Sequence, residues 1–242
     1  MSLMHRLNHL INQGLRRVGY KIIRTPEPLS LEAAFARAVK WNPQVGTVID
    51  VGASNGSWSR IAQRYYPNAG YLLIEANPVH QAELAKYRAS TSSSDYVLAA
   101  AGKTDGTVFF DARTTFGGVA ASEDRPGYEA VSSVKIDTLV TERNLPSPFF
   151  IKLDTHGYEI PILEGASETL KQTSLLLIET YNFTIQPESL RFYEMCSYLL
   201  SQGSRSADVI EPLHRPSDGA FWQFDLLFIR SDHAIWQSNI YE

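Results

Sequence analysis

Apolar positions in this chain fall first at helical spacing and then in short uninterrupted runs. Over residues 1–24, Leu3, Leu7, Leu10, Ile11, Leu15 and Val18 recur as on one face of a helix, with basic residues mostly between them. Thr25-Pro26-Glu27-Pro28 cannot continue that helix. Ser30 caps a predicted helix from Leu31 to about Lys40, ended by Asn42-Pro43. From Thr47 the runs 47–51, 71–74, 96–100, 149–153 and 175–178 alternate with helix-like stretches. Strands without polar alternation fit a parallel sheet covered on both faces by helices. Between the third and fourth runs, 107–110, the small-residue stretch 114–122 and 131–136 read as a strand-and-loop insertion. A helix is predicted from Pro187 to about Leu200, and a last strand, drawn antiparallel, over 224–229. The expected organisation is an extension over 1–28 and one domain over 29–242, with an insertion at about 102–140.

Composition places the chain among globular proteins, with 44% apolar, 20% charged and 11% aromatic residues. The single cysteine, Cys196, excludes an internal disulfide and a cysteine-built zinc site. It stands in an apolar helical stretch and is expected to be buried and inert. No run approaches the ~18 apolar residues of a membrane span, and no signal-peptide core follows the start, so a cytoplasmic location is expected. The net charge of −4 is unevenly spread. Arg6, Arg16, Arg17, Lys21 and Arg24 make residues 1–24 +5, while the remaining 17 basic and 26 acidic residues leave −9. An acidic body argues against a nucleic-acid partner. The basic leader either packs on its own domain or serves for peripheral docking or homo-oligomer formation.

The first apolar strand ends in Val48-Ile49-Asp50-Val51-Gly52-Ala53-Ser54-Asn55-Gly56, followed by a helical stretch. A strand, a glycine-rich turn and a helix make a ligand cradle at the carboxyl end of the strand. Gly52 is read as letting the backbone approach a ligand, and Gly56 as permitting close packing where the helix starts. A dinucleotide fingerprint wants a glycine where Ser54 stands. Asp50 would repel a pyrophosphate, whereas the cationic groups of S-adenosylmethionine tolerate a nearby acid. The second strand closes with Glu75-Ala76-Asn77-Pro78, 23 residues beyond Gly52. An acid near that offset receives ribose hydroxyls in doubly wound folds, and a carboxylate can accept both hydroxyls of a diol. An ordinary strand-to-helix turn and a solvated strand-end acid are the plainer readings.

The fourth run leads into Ile151-Lys152-Leu153-Asp154-Thr155-His156-Gly157-Tyr158-Glu159 and then Pro161, read as the first turn of a helix. The fifth ends in Ile178-Glu179-Thr180. If these strands are neighbours, Asp154 and Glu179 lie close together, and with a histidine they can do base chemistry or hold a divalent ion. The segments VIDVGASNG, IEANP, IKLDTHGYEIPILEGA and LLLIET resemble the FkbM-type family of S-adenosylmethionine-dependent methyltransferases, roughly from Thr47 to Thr180. The resemblance implies a class I methyltransferase, Rossmann-like α/β fold: a doubly wound, mostly parallel sheet with an N-terminal helical extension. It also implies methyl transfer to an oxygen, family acceptors being often hydroxyls of sugars, glycans or small metabolites. Cofactor contacts carry over to Asp50, Gly52 and Glu75, and around them to Ala53, Asn55, Gly56, Ala76, Asn77 and Ala101. Asp154, Gly157 and Glu159 fall in the functional signature. His156 departs from the family pattern.

Methyl transfer from a sulfonium asks the protein to align the acceptor oxygen, exclude water and remove a proton. Histidine is the readiest base near neutral pH. The expected catalytic set is therefore Asp154, His156 and Glu179, with His156 as base or else facing solvent. Asp154 can orient the acceptor or the cofactor, ligate a metal or cap the turn at Gly157; a metal is not expected. His5, His9, His80, His214 and His233 carry no ligand spacing. Phe221 and Trp222 either wall the acceptor or pack, and the stretch around Phe116-Gly117-Gly118 is a lid over the acceptor or a plain loop. Two rivals remain: an enzyme using NAD or another adenine-containing cofactor, and a binding or scaffold module without chemistry.

Overall fold

The computed structural model describes residues 27–187 and 189–241. The amphipathic leader expected over 1–24 lies outside the described residues. Helix α1 (Leu31–Lys40) begins where Ser30 Oγ accepts a hydrogen bond from the Ala33 amide. Strand β1 (Thr47–Val51), α2 (Ser57–Gln63), β2 (Gly70–Glu75), α3 (Gln81–Ser90) and β3 (Ser94–Leu98) follow in alternation, with a short 3₁₀ turn at Pro78–His80. Then come β4 (Ala100–Ala101), β5 (Gly106–Asp111), β6 (Val119–Ala121), β7 (Glu129–Val134) and α4 (Ile136–Glu142). The alternation resumes with β8 (Phe149–Leu153), α5 (Glu159–Glu164), α6 (Ser167–Leu170) and β9 (Thr173–Tyr181). The described chain closes with α7 (Phe192–Ser201), β10 (Ser204–His214) and β11 (Phe221–Arg230).

Seven strands form the main sheet in the order β10-β11-β9-β8-β1-β2-β3. The five from β9 to β3 are parallel, and β11 pairs antiparallel with both β9 and β10. Parallel strands buried on both faces must be apolar throughout, and β1 and β8 are buried at every position. One face packs against Phe35 of α1, Ala62 of α2 and Tyr87 of α3. The other packs against Leu139 of α4, Ile162 of α5 and Leu199 of α7. The doubly wound architecture read from the sequence is the one observed.

Four local expectations need correction. The run at 96–100 is two strands: β3 stays in the main sheet, while β4 pairs with β7 in a second, four-stranded sheet ordered β4-β7-β5-β6. The strand expected over 131–136 stops at Val134, and Ile136 already belongs to α4. The helix expected from Pro187 starts at Phe192, because Ser189 Oγ accepts hydrogen bonds from the Ile185 and Gln186 amides and holds a turn there. Cys196 is half-buried rather than buried.

The second sheet sits beside the carboxyl edge of the first, so the tip of the β5–β6 hairpin reaches the turn after β2: Asn77 Nδ2 donates to the Thr114 carbonyl at 3.3 Å.

Candidate active site

The carboxyl ends of β1, β2, β8 and β9 and the β5–β6 hairpin enclose one cavity of about 270 Å³, near the lower end of the range usual for small-molecule sites. At its β1–β2 end stand Gly52, Ser54, Glu75, Ala76, Asn77 and His80. Glu75 closes β2 and is 6% exposed. Its Oε2 accepts from the Ser54 amide at 2.7 Å and its Oε1 from the Asn77 amide at 2.6 Å. Each oxygen keeps a lone pair, so this oriented carboxylate fits a vicinal diol. The second wall comes from Ala99, Ala100 and Ala101 and from the strap Thr115–Gly118.

At the opposite end Asp154, His156 and Glu179 meet. Strands β8 and β9 are parallel neighbours, so both acids emerge on the same edge. His156 Nε2 lies 3.9 Å from Asp154 Oδ1 and 3.8 Å from Glu179 Oε2. The three groups offer ligand atoms within 4.8 Å of one another, a set that can also hold a metal ion. His156 takes a left-handed backbone, φ 53°, which costs a non-glycine residue energy and turns its side chain back onto the site. The turn beneath is tied by Glu159, which accepts from the Gly157 amide at 2.9 Å and Thr155 Oγ1 at 3.1 Å.

Charge crowds this end. Burial, and then the neighbouring Asp154 carboxylate, pushes Glu179 up to about 7. Tyr181 Oη and Gln223 Nε2 both donate to Glu179. Asp225, paired with Glu179 across β11 and β9, is pushed up to about 8 by burial and then by Glu179. The compensating cation is Lys152, whose Nζ lies 3.0 Å from Asp50 and 3.4 Å from Asp154 and donates to the Gly52 carbonyl at 2.8 Å. Burial works against its charge, but Asp50 and then Asp154 outweigh it and hold the ammonium above its ordinary range.

Of the residues expected at the cofactor, Gly52, Glu75, Ala76, Asn77 and Ala101 line the cavity. Asp50, Ala53, Asn55 and Gly56 do not. Asp50 is fully buried, takes a 2.6 Å hydrogen bond from Ser59 Oγ and pairs with Lys152. It acts on the loop through the Lys152 bond to Gly52. Ala53 is buried in the core on the α1–α3 side, and Asn55 accepts from the Ser57 amide at the start of α2. Gly56 faces Leu73 and Tyr87, the close packing expected of it. Gly52 is required for a different reason than ligand approach: a Cβ there would lie 2.1 Å from the Asp154 carbonyl oxygen. Phe221 packs on Phe224 at 4.8 Å and Trp222 on Phe183 at 5.2 Å, and neither lines the cavity.

Sequence reading missed Ser54, His80, Phe110 and Tyr158 as lining residues. His80 carried a signal, since it follows Glu75 closely on the turn after β2. The stretch around Phe116-Gly117-Gly118, expected as a lid over the acceptor or a plain loop, lies over the Asn77–His80 turn.

The family model for the methyltransferase FkbM domain matches residues 50–206. No curated protein sequence matches the chain. Solved structures with related folds include an FkbM methyltransferase from Methylobacillus flagellatus, 18% identical, covering 75% of this chain and 43% of that one, TM-score 0.48. The present chain therefore spans less than half the length of that protein. A precorrin-6y C5,15-methyltransferase from Geobacter metallireducens is 13% identical, covering 86% and 93%, TM-score 0.45. Aeropyrum pernix fibrillarin with bound S-adenosylmethionine is 11% identical, covering 77% and 67%, TM-score 0.46. With more than half its length matched by the family model, from the acid of the first strand to the start of β10, the chain belongs to the FkbM methyltransferase family.

Proposed function

We propose that this protein transfers a methyl group from S-adenosylmethionine to a hydroxyl of a sugar, glycan or small metabolite. The observation that carries the reading is the pairing, in one cavity, of a diol-receiving carboxylate at Glu75 with the acid–histidine cluster at Asp154, His156 and Glu179. When bound, S-adenosylmethionine supplies a methyl group on a sulfonium that leaves as a neutral thioether.

Glu75 receives the ribose hydroxyls and fixes the cofactor along the cavity. Asp154 faces the cationic methionine end, where its charge favours a sulfonium or ammonium. His156 stands in the same end of the cavity and takes the proton from the acceptor hydroxyl as its oxygen bonds to the methyl carbon. Glu179, held by Tyr181 and Gln223, supports the imidazolium that results. An acidic rim of this kind disfavours the pyrophosphate of NAD. It supports chemistry over a passive scaffold, since two carboxylates whose oxygens lie within 4.8 Å of each other are costly unless used.

The test is calorimetric titration with S-adenosylhomocysteine, followed by transfer of labelled methyl groups to a panel of glycans and hydroxylated metabolites. Binding in the micromolar range is expected, with transfer to at least one hydroxyl that is lost in Asp154→Ala. His156→Ala is expected to slow transfer by about 10²-fold or more. Binding without transfer to any acceptor supports the scaffold reading. The same three side chains suit a divalent ion, so transfer abolished by a chelator and restored by magnesium would make His156 a ligand instead of the base.

A further inference from the structure

The geometry points to Phe116, backed by the His80 ring, as the aromatic face that clamps the purine base of the cofactor in its cavity, a role that rests on the reading of the cavity given above. A ribose seated on Glu75 leaves its base and its sulfonium to run in opposite directions along the cavity. The sulfonium must reach Asp154, His156 and Glu179, where the acceptor can be deprotonated. The base is thereby directed to the other end, where the lining residues are Asn77, His80, Ala100 and Phe116.

Phe116 is a large apolar side chain left 66% exposed at the rim of that end. Its ring lies 5.6 Å from the His80 ring, at 42° to it. Apolar packing does not hold it there; polar fastening of the strap does. Asn77 Nδ2 donates to the Thr114 carbonyl at 3.3 Å, and His80 Nε2 lies 2.9 Å from the Thr115 carbonyl oxygen. Thr114 Oγ1 donates to the carbonyl of Phe116 itself at 2.7 Å. Beyond it the chain passes tightly against Phe110, since a Cβ on Gly118 would lie 2.3 Å from that ring. His80 is 5% exposed and is also within hydrogen-bond distance, 3.3 Å, of Ser54 Oγ on the β1 loop. The histidine thus ties the strap to the loop that carries Gly52, and the phenyl ring is presented with a face free to stack. A flat purine covers that face, and stacking on an aromatic ring favours the base over an aliphatic group of equal area.

The test is calorimetric titration of the purified full chain with S-adenosylhomocysteine, with the melting temperature of the unliganded protein as control. Phe116→Ala is expected to weaken binding about 10-fold, with an unchanged melting temperature because the side chain is exposed. Phe116→Tyr is expected to bind within twofold of the parent, whereas Phe116→Leu, apolar without a π face, is expected to stay weak. Phe116→Ala binding as the parent does, or Phe116→Leu restoring affinity as fully as Phe116→Tyr, overturns the clamp while leaving the cofactor reading intact. A parent protein that does not bind S-adenosylhomocysteine at all fails the cofactor reading first and the clamp with it.

Discussion

The two ends of the cavity are stabilised in opposite ways. At the β1–β2 end, Glu75 lies among backbone amides that satisfy both of its oxygens before any ligand arrives. At the β8–β9 end, Asp154, Glu179 and Asp225 press on one another, and Lys152 is shared with the fully buried Asp50. The first arrangement is a preoriented carboxylate, of the kind that costs little to use when a ligand enters. The second stores electrostatic tension that a cationic ligand or a transferred proton relieves. On the function proposed above, recognition and reactivity are separated along one sheet edge, with Lys152 joining the two ends through its contacts to Asp50, Asp154 and the Gly52 carbonyl.

The sharpest way to break this contrast is to remove the shared cation. Lys152→Met is expected to destabilise the fold by ~3–5 kcal/mol in chemical denaturation, because Asp50 is left buried without its partner. Adding Asp50→Asn should recover much of that loss. Next in size, Glu75→Ala should weaken S-adenosylhomocysteine by ~3 kcal/mol in calorimetry, the worth of hydrogen bonds to a charged group. Asp154→Asn should weaken it less.

At the strained end, methyl transfer should rise with pH through about 7 as Glu179 ionises and comes to favour a cation on His156. Glu179→Gln should reshape that limb and lower the plateau roughly tenfold, one charge-assisted contact's worth. The smallest effect has the opposite sign. An acid raised in the folded state contributes stability that is present at low pH and lost as pH rises through the folded value. For Asp225 that window runs from its ordinary 3.8 to about 8. Asp225→Asn should therefore be more stable than the parent at pH 8 by ~1 kcal/mol or more, with the gap closing below pH 4. A flat difference across that range would show that Asp225 is not held protonated by its neighbours.

How much of this was legible in the chain varies with how local the cause is. Helix α1 and strands β1 and β8 have the boundaries read from the sequence, because a cap, a proline and an unbroken apolar run are local signals. Strand β10 was missed altogether. Its residues are mostly exposed or half-exposed, it contains Pro212, and its pairing with β11 is broken by register shifts. An edge strand of that kind has no burial pattern to show. The split at Ala99 was equally hidden, since only the second sheet gives β4 a partner.

The sequence by itself determined the alternating α/β order, the turn after β1, and the placement of Glu75 and Asp154 at strand ends, since period and strand length settle those, whereas Glu179 lies two residues inside a β9 that runs on to Tyr181. The tertiary structure decided which of these groups meet. Strand order made Asp154 and Glu179 neighbours, the pleat turned Asp50 toward Lys152 and away from the cavity, and the second sheet brought Phe116 over His80. A strand end tells where a side chain stands along the sheet, but the face it points to and the partner it meets depend on pairings between residues far apart in sequence.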